Sequence, residues 1–521
     1  MITRRHAATW FGAGLAGSAL GFGGKSDAAS QGRRTPPNSW AAYEVYLEKA
    51  RSDWRVPGLA VAIVRDGALV FSKGFGVANV DTRAPVTADT LFGAASTTKA
   101  FTAAGIAMLV DQKKLNWDTP VTRYLPSFQL GHGDDYASLS LRDMMSHRTG
   151  LGRHDLLWYN NKSLTLEDLL ARLPYLETFA PIRSSYQYNN LMVMLAGLAV
   201  ERVTGMSWEA FTKSAIFGPL GMTRSNLAIA EMARDNNYAN GHRLRDKTTP
   251  FSIPLRPEDR IGPAGAVNSS VNDYAKWMIL QLGRGNANGT QLFSRAQSNI
   301  MWEPFVMAAG VPSSPELTRG YYGLGWRIDN YRGMMRVAHG GNLNGFASRV
   351  TLLPEKNIGI VAFTNLGASP LPGHVTMDMV DMMLGLEPAN WSARNLARRD
   401  APETIITPPA TPPRVLATTP SRPVSVFVGT YHHKGYGNLF IDPRVMTERR
   451  QQNLRARYND MPMALEHWHY DVFNAVPERG EDSDLADIKF AFTSGVTGQI
   501  VSVAAKMDDS TDAVVFDRVI A

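Results

Sequence analysis

The chain contains no cysteine. Disulfides, thiolate nucleophiles and cysteine-ligated zinc are therefore excluded, and no other pattern calls for a cofactor or a metal. Charge is also sparse. Charged residues make up 19% of the chain, and 54 lysines and arginines against 47 acidic residues leave a net charge of +7. That excess is spread out, with no basic run interleaved with aromatics, so nucleic acid is not an expected partner. Beyond the N-terminal segment no stretch reaches about 18 uninterrupted apolar residues, so no membrane span is expected in the mature chain. The Gly-x-Ser-x-Gly signature of nucleophile-elbow hydrolases is missing as well. What remains is 521 residues that are 44% hydrophobic, enough for two globular domains with tails.

The N-terminus reads as an export signal. Arg4 and Arg5 precede a Gly- and Ala-rich stretch from Ala7 to Gly24, and Ser26-Asp27-Ala28 offers small residues for cleavage. Residues 1–29 are therefore expected to be removed, leaving a periplasmic or secreted protein. Thr3-Arg4-Arg5 resembles a twin-arginine signal, although Ala7 and Ala8 stand where that motif usually has larger apolar residues.

From Pro37 to Trp391 strands and helices mix. The apolar run Gly58–Val64, the turn Asp66-Gly67 and the run Ala68–Phe71 predict a hairpin. Arg349–Leu353 and Ile358–Phe363, joined through Pro354 and Asn357, predict a second. Between them Lys99–Gln112 and Leu191–Val203 read as helices. Strands at both ends with helices in the middle imply an α+β domain, one antiparallel sheet covered by helices. Residues 392–422 break this pattern with Pro402, Pro408, Pro409, Pro412, Pro413 and Pro420, which predicts a semi-rigid connector. From 423 to 521 short runs separated by turns predict a small all-β barrel or sandwich: Val424–Val428, Leu439–Ile441, Ile488–Phe492, Ile500–Val503 and Ala513–Phe516.

The chemistry centres on Ala94-Ala95-Ser96-Thr97-Thr98-Lys99. A spacing of three places Ser96 and Lys99 on one helix face, a turn apart. A serine hydroxyl is a weak nucleophile until a base takes its proton, and a desolvated lysine is such a base. Taken alone the pair also describes a serine helix cap followed by a surface lysine, the commoner use of that spacing.

The stretch from Asp89 to Thr102 closely resembles the nucleophile region of class C β-lactamases, and Ser-x-x-Lys is shared by the wider penicillin-binding group. Two further motifs follow in the same order. Tyr188-Asn189-Asn190 resembles the Tyr-x-Asn motif, and His339-Gly340-Gly341 stands where class C enzymes carry Lys-Thr-Gly. Supporting stretches are Met145–Leu151, Pro263–Ala266 and Tyr322–Trp326, and the resemblance spans about residues 40 to 385. No Ser-Asp-Asn triplet occurs, which excludes the class A pattern.

The resemblance implies a serine hydrolase working through an acyl-enzyme on Ser96. Lys99 and Tyr188 would move the proton, with Tyr188 serving the leaving group and then water. Asn190 would hold Lys99 or the substrate amide, and the backbone N–H groups of Ser96 and Asn342 would form the oxyanion hole. Gly340 and Gly341 suit a strand edge that a substrate backbone approaches closely. His339 replaces the family's lysine and is expected to carry only part of a charge near neutral pH, titrating around pH 6 to 7, so strong β-lactamase activity is not expected. A purely structural histidine is the alternative reading of that position. His147 reads as part of a structural turn rather than a triad histidine.

The C-terminal region resembles the lipocalin-like barrel appended to some peptidases of this group. His467 and His469 share a strand face at a spacing compatible with a metal, although aromatic cross-strand packing is the commoner use. The leading expectation is a peptidase acting on amide bonds of small or unusual peptides. The alternatives are a carboxylesterase or lactonase on the same scaffold and, from a different class, a silent binding protein, against which the intact Ser96, Lys99 and Tyr188 set argues. The expected partner is thus a peptide or small-molecule substrate.

Overall fold

The computed structural model describes residues 40–131, 134–256, 258–400, 414–445, 452–479, 485–508 and 511–520. The expected export signal over 1–29 and the prolines from 402 to 413 lie outside the described residues. Helix α1 (Trp40–Asp53) leads into the hairpin β1 (Gly58–Arg65) and β2 (Ala68–Gly76). Its turn places Asp66 and Gly67 both at positive φ, the conformation an Asp-Gly pair favours between twisted strands. The chain then runs through α2 (Lys99–Asp111), α3 (Asn190–Thr204) and α4 (Val271–Leu282) before returning to the sheet. The return supplies β3 (Val306–Ala309), β4 (Gly320–Tyr322), β5 (Arg327–Tyr331), β6 (Met334–Leu343), β7 (Phe346–Leu353) and β8 (Ile358–Thr364). These make one antiparallel sheet in the order β2-β1-β8-β7-β6-β5-β4-β3. Both predicted hairpins are present, and they meet where β1 pairs with β8.

Alternation along β1 shows why the sheet is buried on both faces. Ala60, Ala62 and Val64 join the larger core under α2, α3 and α4. Leu59, Val61 and Ile63 join a second core under α1, α5 (Leu371–Leu384) and α6 (Trp391–Asp400). In the larger core Phe101 of α2 stacks on Trp277 of α4 with ring centroids 3.8 Å apart and meets Tyr274 and Phe217 edge-on.

Two segments differ from expectation. Residues 392–400, read as the start of the connector, belong to α6. The carboxylate of Asp378 on α5 accepts the backbone N–H groups of Trp391 (2.7 Å) and Ser392 (2.9 Å), which satisfies the otherwise open first turn of that helix. Val424–Phe427, read as a strand, is a 3₁₀ turn after Pro423 that buries Phe427 against Phe473 and Phe492 inside the second domain.

That second domain is a closed barrel of eight antiparallel strands. They are β9 (Gly429–His433), β10 (Gly437–Val445), β11 (Gln452–Tyr458), β12 (Met461–His469), β13 (Val472–Pro477), β14 (Lys489–Ser494), β15 (Ile500–Ala505) and β16 (Val514–Arg518). Pairing of β9 with β16 closes it and leaves no free sheet edge. Its interior and the larger core of the first domain form one continuous apolar cluster. Among the described residues no single helix is long and apolar enough to cross a membrane.

The aromatic stack between α2 and α4 holds the nucleophile-bearing helix against the sheet. Phe101→Ala is expected to cost about 3–5 kcal/mol of stability, read as a lowered denaturation midpoint with an unchanged slope.

Candidate active site

Ser96 sits at a strained entrance to α2. Phe92–Gly93 pairs with Asn268–Ser269, then Ala95 turns at φ 52° and a single 3₁₀ turn over Ala95–Thr98 carries the serine into the helix. Ser96 is therefore not an α-helix cap. Two sheet strands press on its turn. Ser348 of β7 donates to the Ala94 carbonyl at 2.7 Å, and Gly341 of β6 lies so close that a Cβ there would collide with the same carbonyl oxygen.

Lys99, one turn on, is completely buried. Its amine lies 3.2 Å from Ser96 Oγ, 2.7 Å from Asn190 Oδ1 and 2.9 Å from the Ala264 carbonyl oxygen. Burial pushes its pKa well below the ordinary lysine value; Asp155 pulls it partly back and Arg153 lowers it further. A neutral amine has two N–H bonds and one lone pair. The two carbonyl acceptors take the N–H bonds, so the lone pair is left for the Ser96 hydroxyl proton. Tyr188 closes the other side. Its ring centroid is 4.8 Å from the Lys99 amine, its hydroxyl hydrogen-bonds with Ser96, and burial raises its pKa so that it remains a phenol.

Asn190 opens α3, just after its cap Asn189. While its Oδ1 faces Lys99, its Nδ2 donates to Asp155 Oδ1 at 2.9 Å. Asp155 also accepts from Trp158 Nε1 at 2.9 Å and from Arg153 Nε at 2.8 Å. Neither Arg153 nor Asp155 stands out in the sequence, since both lie in an irregular loop with no periodic pattern.

The two histidines are packed around Tyr188. His147 is fully buried, sits at φ 60° and accepts the Asn189 backbone N–H on Nδ1 at 3.1 Å. Its ring lies 4.4 Å from that of Tyr188 and 4.6 Å from that of Tyr322. His339 is also buried. Its Nδ1 faces the Gly340 carbonyl oxygen at 2.6 Å, so that nitrogen carries the proton, and the Tyr322 hydroxyl donates to Nε2 at 2.7 Å. Both imidazoles are held well below the usual histidine value, chiefly by burial. Burial and the two occupied nitrogens favour the neutral imidazole at His339, against the expectation of a group titrating around pH 6 to 7.

Ser96, Tyr188, Asn190, His339, Gly340, Gly341 and Asn342 line one cleft of about 1130 Å³, with Lys99 beneath them. Beside them lie Arg327 and Arg349, and the paired Arg153–Asp155 and Arg336–Asp329, so the cleft's positive charge comes from arginines. The strand edge is open here. β5 begins at Arg327 opposite Ala338, so the stretch His339–Leu343 continues past its neighbour. His467 and His469, far along the chain on β12, each take a backbone partner, Tyr470 O at 2.9 Å and Val415 N at 3.3 Å. Among the described residues no group of three or more potential ligands is placed to hold a metal ion.

A helix-borne serine against a buried lysine, at the edge of an antiparallel sheet backed by helices, defines the class of β-lactamases and penicillin-binding proteins. The chain belongs to the β-lactamase family, whose members are serine hydrolases: residues 46–376 match that family. Residues 413–517 match a second family, described as a domain of unknown function (DUF3471). The unguisins hydrolase ungD of Aspergillus violaceofuscus is 30% identical over 85% of this chain and 83% of its own. The unguisins hydrolase ungD' of Aspergillus campestris is 30% identical over 74% of this chain and 75% of its own. Among solved structures, the octameric penicillin-binding protein homologue from Pyrococcus abyssi shares the fold with a TM-score of 0.62, at 22% identity over 92% of this chain and 99% of that one.

Two outcomes test this geometry. The acid limb of the pH–kcat/KM profile is expected to follow Lys99: the rate rises as the amine loses its proton, at a pH below that of an ordinary lysine. His339→Gln is expected to leave that midpoint in place; a shifted or vanished limb would show that the histidine titrates. Gly341→Ala is expected to displace the Ser96 turn and slow acylation about 10²-fold, measured by stopped-flow labelling of the folded variant.

Proposed function

We propose that the protein hydrolyses amide bonds of small or unusual peptides through an acyl-enzyme on Ser96. The observation that carries this reading is the buried Lys99 amine, whose two N–H bonds are taken by Asn190 and Ala264 while its lone pair faces Ser96. In acylation the Ser96 hydroxyl gives its proton to Lys99 as Oγ attacks the carbonyl. The developing oxyanion is received by the backbone N–H groups of Ser96 and Asn342. Collapse expels the amine, which takes the proton of Tyr188, and Lys99 returns the serine's proton to the resulting phenolate, so the proton count balances. Water then attacks the ester while its proton passes to Tyr188, which hands its own proton to Lys99, and the proton returns by Lys99 to Ser96 Oγ as the acid leaves.

The open edge at Gly340–Leu343 supports a peptide-like substrate, since an extended amide backbone can pair with it whereas a simple ester cannot. Arg327 and Arg349 favour a substrate group bearing negative charge, such as a carboxylate. Two hydrolases with unguisins in their names are among the relatives, which makes unguisins worth including as substrates. We further propose that residues 1–29 are an export signal and that the mature protein works outside the cytoplasm. Its catalytic unit would begin near residue 37 and run through α6, and its barrel would be lipocalin-like.

Ser96→Ala is expected to abolish turnover and labelling by a fluorophosphonate probe, with the parent's label mapping to the Ser96 peptide. Lys99→Ala and Tyr188→Phe are each expected to lower kcat by about 10² or more. A panel of L- and D-amino-acid anilides, p-nitrophenyl esters, nitrocefin and unguisins separates the readings: ester hydrolysis without any amide cleavage would make it an esterase.

A further inference from the structure

We propose that the C-terminal barrel is a working part of the active site, holding the loop Arg153–Asn161 in the conformation that aims Asn190 at Lys99. This inference rests on the reading of Ser96 and Lys99 given above and assigns positioning roles to Asn459 and Tyr436.

The loop is held by its own turns and by the barrel. Apart from a single 3₁₀ turn over Asp155–Leu157 it has no regular structure, and His154 and Asn160 both sit at positive φ, a conformation unfavourable for residues other than glycine. One side of it forms a wall of the catalytic cleft through Arg153, Asp155, Trp158 and Tyr159. The other side is gripped by the barrel.

The grip is specific. The turn joining β11 to β12 is Asn459-Asp460, both at positive φ. Asn459 Nδ2 donates to the Leu156 carbonyl oxygen at 2.7 Å, with Tyr159 O and Leu157 O at 3.3 and 3.4 Å. In return Asn160 Nδ2 donates to the Asn459 carbonyl oxygen at 2.9 Å, and Lys162 pairs with Asp460 at 3.1 Å. At the loop's start the Asp508 carboxylate accepts the His154 backbone N–H. The His154 ring is buried. Its Nε2–H donates to Glu177 O at 2.8 Å, which leaves Nδ1 to accept the Tyr436 hydroxyl at 2.7 Å. The His154 N–H and the Leu156 and Tyr159 carbonyls are thus satisfied by the barrel, while the loop's own turns pair other N–H groups.

Asp155 transmits this to the reaction. Its Oδ1 takes an N–H of the Asn190 amide, which fixes that amide with Oδ1 toward Lys99. Were Asp155 to move away, the amide would be free to turn over. Its Nδ2–H would then donate into the Lys99 lone pair that the Ser96 proton needs. A shift of the barrel turn is therefore felt at the nucleophile, through a path of three hydrogen-bonded side chains and one loop.

The test uses the full-length protein. The rate of Ser96 labelling by a fluorophosphonate measures the reactivity of the nucleophile without dependence on substrate recognition. Asn459→Ala and the near-isosteric Tyr436→Phe are each expected to slow labelling about tenfold. Arg455→Ala, which removes an ion pair with Glu478 elsewhere on the barrel, is expected to leave it unchanged. Asp155→Ala is expected to slow labelling at least as much, and adding Asn459→Ala to it is expected to cost nothing further, because both act through one contact. Parent-like labelling in Tyr436→Phe and Asn459→Ala overturns the proposal, as does a full additional loss in the double variant. If Asn459→Ala does not fold, Tyr436→Phe alone and with Asp155→Ala decides in the same way. Label that persists in Ser96→Ala would instead overturn the catalytic reading itself.

Discussion

The arrangement depends on keeping one lysine amine out of water. An ammonium ion in that position would be strongly disfavoured, and burial resolves the conflict by favouring the neutral base. Three separate parts of the chain meet to make this work. The 3₁₀ turn brings Ser96, α3 brings Asn190, and the segment around Pro263–Ala264 brings a backbone carbonyl. Gly197 of α3 has no room for a Cβ beside Pro263, so the close approach of that segment is built into the helix packing. Position of the base and packing of the core are one constraint.

The sheet edge next to it is shaped by what is small or missing. Gly341 lets β6 touch the Ala94 carbonyl, and the late start of β5 leaves His339–Leu343 open on one side. Where relatives of this class place a lysine, His339 contributes shape and a neutral hydrogen bond network with Tyr322. Positive charge is supplied by Arg327 and Arg349.

The barrel extends this logic over a longer distance. Its core is continuous with that of the first domain, so the two do not behave as beads on a tether. The loop that the barrel covers is also the wall of the cleft, which makes Asn459 and Tyr436 neighbours of the chemistry although they lie about 300 residues away from the loop they hold.

Patterns with a short period were legible in the sequence. The two hairpins follow from turn residues set between short apolar runs, and Ser96, Lys99, Tyr188, Asn190 and the Gly340-Gly341 edge from motifs whose residues sit within a few positions of each other. The structure brings all of these to one cleft. What escaped was set by contacts distant in sequence. Residues 391–400 became a helix because Asp378 caps it, and Val424–Phe427 became a turn because Phe427 fills the barrel. Asp155 had no motif to mark it, since its role exists only where Asn190 and the barrel-held loop converge. The charge of His339 was not legible for the same reason: a histidine's charge is decided by burial and hydrogen-bond partners, and only the folded chain supplies those.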